Sequence, residues 1–176
     1  WFSANSAADD LARAWHVNAA GIGWLTSSVQ MGFIVGTLFI SLTGVADRFR
    51  ASRIFIFSAL AGAVFNAAFA LLAQGILGGV AFRFLVGLCL AGVYPIGMKL
   101  IVGWAPERTG AALAQLVAML TLGTALPHAL RQVGAVLPWQ VIIFVSSALA
   151  VLAAVVVLAL GDGPYFTSGR PVVSLA

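Results

Sequence analysis

Two long apolar runs, each free of ionisable residues, flank a short charged loop, and this arrangement restricts the chain to a membrane-spanning helical fold. Residues 23–46 and 54–82 contain no Asp, Glu, Lys, Arg or His. The seven residues between them, 47–53, carry one acid and three arginines: Asp47, Arg48, Arg50 and Arg53. Crossing the hydrocarbon core takes roughly 20 predominantly apolar residues. Each run is therefore long enough for a span, and the loop reads as a turn at the membrane surface.

Composition excludes most alternatives. The chain is 62% hydrophobic and 8% charged, against about 25% charged residues in an ordinary soluble domain. Its net charge of +4 does not point to nucleic acid, because most arginines sit in short loops beside apolar runs. Cys89 is the only cysteine and lies in an apolar run. It reads as a small buried hydrophobe, with no disulfide framework and no CxxC metal pair. No cofactor and no metal are expected.

Five spans are predicted, at about 23–46, 54–73, 80–104, 110–130 and 139–160. Gln74-Gly75 and Gly78-Gly79 punctuate one turn, Ala105-Pro106-Glu107-Arg108 a second and Leu137-Pro138 a third. Barrel strands would be about 9–11 residues with alternating polarity; these runs are longer and do not alternate. The expected fold is all-α, a polytopic bundle. Residues 1–22 read as the end of an earlier helix and an outer loop, and 161–176 as a tail or the start of a linker. A first residue Trp1 with no Met reads as a piece of a longer protein.

Loop charge predicts orientation. The side holding 47–53 collects six basic residues, Arg48, Arg50, Arg53, Lys99, Arg108 and Arg170, while the other holds two, Arg13 and Arg131. Loops 47–53 and 105–109 and the C-terminal end are thus expected in the cytoplasm, in a multi-pass protein of the cell membrane.

Within this frame, Gly44-Val45-Ala46-Asp47-Arg48-Phe49-Arg50-Ala51-Ser52-Arg53 resembles the signature of the major facilitator superfamily, approximately G-x-L-A-D-R-x-G-R-R/K. Gly44, Ala46, Asp47, Arg48 and Arg53 match; Val45 and Arg50 depart, the latter standing where the family usually has Gly. Arg83-Phe84-Leu85-Val86-Gly87 matches the R-x-x-x-G pattern of the family's fourth helix. The fifth-helix pattern is lacking, with Gly123-Thr124-Ala125-Leu126-Pro127 at best a relic. The resemblance covers most of the chain and makes its spans helices two to six of an N-terminal half. It implies a secondary transporter of a small solute, with or without protons, working by alternating access against a C-terminal half or a second copy. It also implies that Gly44, Asp47, Arg48 and Arg53 belong to a charge network that closes the cytoplasmic side. The rival reading is a non-transporting membrane module that binds partner helices. An intramembrane enzyme lacks residues to support it.

Other residues are read from their chemistry. Arg83 within a span costs about 2.5–3.5 kcal/mol on insertion scales and is expected to face the protein interior or a watery cavity, as a contact for solute or in proton coupling; the alternative is snorkelling to the outer surface, since its helix begins near Val80. Lys99 reads as snorkelling to the headgroups, and Arg50 as a charge that sets topology. Pro95 is expected to bend its helix. Gln30, Asn66, Tyr94, Thr121 and His128 are the polar residues most able to line a cavity, although His128 reads better as interfacial. Gly32-Phe33-Ile34-Val35-Gly36 is a GxxxG that lets helices approach closely. Trp24, Trp104 and Trp139 read as interfacial anchors.

Overall fold

The computed structural model describes residues 3–133 and 138–166, with backbone alone at 130, 131 and 133. Arg170, the Arg131 side chain and Leu137 therefore lie outside the described residues. The elements are α1 (Ala8–Trp15), α2 (Ala19–Thr43), α3 (Val45–Arg48), α4 (Ala51–Leu72), α5 (Ile76–Ala91), α6 (Tyr94–Trp104), α7 (Thr109–Val133) and α8 (Trp139–Leu160). Five spans are long and apolar enough to cross a membrane, α5 and α6 together making one. No strand occurs among the described residues. The all-α membrane bundle expected from the apolar runs is thus what forms.

The ends of these helices follow from local chemistry. Asn18 caps α2, its Oδ1 accepting from the backbone N–H of Gly21 at 3.0 Å. Gly44 ends α2 with φ +65°, a left-handed conformation that glycine adopts without strain. Pro95 has no N–H to offer the carbonyl of Ala91, so the disruption falls before the proline, not at it. Gly92 and Val93 instead bond three residues back, to Cys89 and Leu90, each at 3.0 Å. The span breaks there, and α6 resumes at Tyr94.

Packing centres on α2 against α5, with α4 against both α5 and α8. The α2–α5 contact is backbone on backbone. A Cβ added at Gly32 would overlap the carbonyl oxygen of Phe84, and one at Gly87 would overlap that of Val29. At Gly36 it would sit 2.8 Å from the Ala91 Cβ. The GxxxG glycines and the glycine of R-x-x-x-G therefore line the same contact, each against the backbone or a small residue of the other helix, which is the close approach that small residues permit in a bilayer. Outward, Leu42, Phe57 and Leu77 are 84%, 76% and 83% exposed, a surface suited to lipid and not to water.

The α1 helix lies across one end of the bundle. Leu11 and Ala7 are buried on its inner face, and Arg13 pairs with Asp10 on its outer side. Trp15 and Trp139 both meet the Phe69 ring edge-on, with centroids 5.9 Å away. The opposite end carries loop 47–53.

Candidate functional site

At the 47–53 end, one ion pair joins the turn after α2 to α6, and a second joins the start of α4 to the segment after α8. Asp47 is on α3, the single turn that follows Gly44, and Lys99 is in the last half of α6. The Lys99 ammonium donates to the Asp47 carboxylate at 3.0 Å and to the Ala46 carbonyl at 2.7 Å. It also lies 5.4 Å from the Phe166 ring centroid, within cation–π range. These side chains are 34% and 51% exposed. An exposed pair of this kind stabilises a fold by only about 0–1 kcal/mol, so it can open at small cost. Beside it lies a groove of about 430 Å³ lined by Thr37, Gly44, Asp47, Pro95, Ile96 and Lys99, among others.

The second pair joins Arg50 to Asp162. The Arg50 Nε donates to Asp162 at 2.8 Å. Asp162 also accepts from the Ser52 backbone N–H at 2.8 Å and from the Ser52 hydroxyl at 3.1 Å. No side chain of its own caps α4, and Asp162 takes that part from the far end of the chain. Burial pushes the Asp162 carboxyl up, but the hydrogen bonds from Ser52 and Arg50 and the Arg50 charge outweigh it and hold the group below its ordinary value. Asp162 is placed by a reversal after α8. Gly161 turns at φ +67°, Gly163 crosses the backbone of Gly103 where no Cβ would fit, and Tyr165 N–H donates to the Gly103 carbonyl at 3.1 Å.

Deep in the other half of the bundle, Arg83 is 1% exposed and Asn66 is 7% exposed. The Arg83 Nη1 donates to Asn66 Oδ1 at 3.2 Å. The Asn66 amide donates in turn to the Ile143 carbonyl at 3.2 Å and the Ser147 hydroxyl at 3.0 Å, both on α8. The guanidinium carbon lies 5.8 Å from the Phe69 centroid. Asn66 and Ser147 also border a cavity of about 130 Å³ that includes Ser58, Gly62, Cys89 and Ser146.

The structure brings Gly44, Asp47 and Pro95 to one groove, and Asn66 and Arg83 to one cluster. Arg48 and Arg53 are exposed and form no ion pair among the described residues. Gln30 and Thr121 are exposed on α2 and α7, and the Thr121 hydroxyl donates back to the Val117 carbonyl at 3.1 Å. Tyr94 is half-buried at the start of α6, and His128 is exposed on α7. Two partners escape a reading of the sequence: Lys99, whose ammonium binds Asp47, and Asp162. One signal for Asp162 was available, since it is the sole acid after Glu107 and sits between two glycines.

The chain resembles known proteins over most of its length. The profile of the Major Facilitator Superfamily matches residues 1–173. Over 98 residues the chain is 33% identical to the niacin transporter NiaP of Acinetobacter baylyi, a match covering 56% of this chain and 22% of that relative.

Proposed function

Because this chain belongs to the major facilitator superfamily, we propose that it supplies part of the N-terminal half of a secondary transporter that moves a small solute by alternating access. The observation that carries the reading is the pair of ionic contacts at the 47–53 end, Lys99–Asp47 and Arg50–Asp162. Both join segments distant in sequence, both lie at one end of the bundle, and the first is exposed enough to break without unfolding the helices. Charge-assisted bonds of this sort can be made in one conformer and lost in the other. With the 47–53 loop in the cytoplasm, as loop charge favours, they brace the half on its inward side. Asp47 and Gly44 shape that contact, and Arg48 and Arg53 offer the charges that a facing half would meet.

The glycine-packed α2–α5 pair supports movement of this half as a rigid body, since backbone contact leaves no room for internal sliding. Arg83, buried in the span, is the residue assigned to solute or proton coupling. Niacin, named for the relative, is the first solute to test; as a carboxylate near neutral pH it suits a cationic site.

Reconstitution of the full-length protein carrying this chain into proteoliposomes tests the reading. Uptake of labelled niacin, or of another solute from a small panel, is expected to follow an imposed pH gradient and to cease when it is collapsed. A folded protein that moves nothing across the panel would favour a non-transporting membrane module.

A further inference from the structure

Arg83 and Asn66 both qualify as solute contacts by residue type, yet their hydrogen bonds separate them. We infer that Asn66 is a positioning residue that sets the Arg83 guanidinium and does not itself touch solute, an inference that rests on the transport reading above. An Asn side chain offers two N–H donors and one carbonyl oxygen. Both donors of Asn66 are engaged, one by the Ile143 carbonyl and one by Ser147 Oγ, while its oxygen receives Arg83 Nη1. The amide has one orientation that fits. Turned over, its NH₂ would confront the guanidinium, and its oxygen would face the carbonyl of Ile143.

The anchor continues through α8. Ser147 Oγ donates to the Ile143 carbonyl at 2.9 Å while accepting from Asn66. Phe69 follows Asn66 by three residues on the same face of α4. Amide and ring therefore grip the guanidinium from one helix, with the amide held in turn by a second. A solute in the cavity that Asn66 borders could take one of its N–H groups only from the Ile143 carbonyl or Ser147 Oγ.

Arginine-¹⁵N NMR of the full-length protein in lipid nanodiscs reads this directly and needs no solute. A guanidinium fixed by hydrogen bonds rotates slowly about Cζ–Nη and shows separate Nη signals. Arg83 is expected to show them, identified by their loss in Arg83→Lys. Asn66→Asp keeps the acceptor and keeps the separation. Asn66→Leu, or Asn66→Ala where Leu does not fold, averages it. Separate Arg83 signals that survive both removals overturn the inference. Uptake of niacin supplies a second arm. Asn66→Leu is expected to lower the maximal rate about tenfold at unchanged KM. A tenfold rise in KM at unchanged rate makes Asn66 a solute contact and overturns the inference. If Arg83→Lys transports as the unaltered protein does, the role given to Arg83 in transport fails, while the NMR arm still decides what Asn66 does.

Discussion

The carboxylate of Asp162 accepts the backbone N–H of Ser52 at 2.8 Å, across 110 residues of sequence. That bond lets the end of the last span cap the start of α4, whose N-cap residue Arg50 has a side chain with nothing to accept an N–H. Replacing Asp162 by Ala leaves those donors without their acceptor. The expected loss is roughly 0.5–2 kcal/mol, the usual range for a missing cap, read as a lower thermal midpoint in detergent. Asp162→Asn, which keeps one acceptor oxygen, loses less.

The same residue gives a pH signature. Its carboxyl titrates lower in the folded protein than in the unfolded chain, because Ser52 and Arg50 favour the charged form beyond what burial opposes. A depressed pKa contributes stability that is fully present above the unfolded value, about 3.9, and disappears as pH falls through the folded one. Thermal midpoints measured from pH 6 downward should therefore fall more steeply for the unaltered protein than for Asp162→Asn. Parallel curves would contradict the assignment.

The α2–α5 contact predicts strong sensitivity at two glycines. Gly32→Leu and Gly87→Leu each force atoms into a facing backbone carbonyl, and overpacking of this kind costs typically about 1–3 kcal/mol, occasionally more. Gly123→Ala on α7, where a Cβ would meet nothing within 4 Å, is expected to be neutral or stabilising by up to about 1 kcal/mol through helix propensity. Thermal denaturation of the three variants side by side checks the contrast.

The long helices are legible because charge and apolar length mark them. The spans expected at about 23–46, 54–73 and 139–160 overlap α2, α4 and α8, and α2 starts at Ala19, where Asn18 caps it. Gly32 and Gly36 announced close packing, though not the partner; that Gly87 of R-x-x-x-G answers them needs the backbones in place. The short α1 escapes because its inward face is mostly alanine, with Leu11 and Trp15 as its large anchors. Pro95 is expected to bend its helix, and the helix is interrupted at Gly92–Val93, just before the proline, which has no N–H for the carbonyl four residues earlier.

The charged end is legible in kind and not in pairing. Arg48, Arg50 and Arg53 are the same residue in one loop, and only the direction in which each leaves the backbone decides that Arg50 reaches Asp162. Asp162 reaches that place through a reversal that depends on Gly163 passing over Gly103, a contact between residues far apart in sequence that no local pattern encodes. Lys99 reads as a snorkelling residue because its distance from the helix end fits one; its bonds to the carbonyl of Ala46 and the carboxylate of Asp47 are partners that this distance does not predict.

The most direct test of the account is a charge exchange across Asp47 and Lys99, read as gradient-driven uptake by the full-length protein in proteoliposomes. Asp47→Lys and Lys99→Asp alone each place like charges where an ion pair stood 3.0 Å apart. Each is predicted to lower uptake about tenfold or more with little change in thermal midpoint, and the double exchange to recover most of it. Single variants that transport normally, or a double exchange no better than either, would contradict a gating role for this contact.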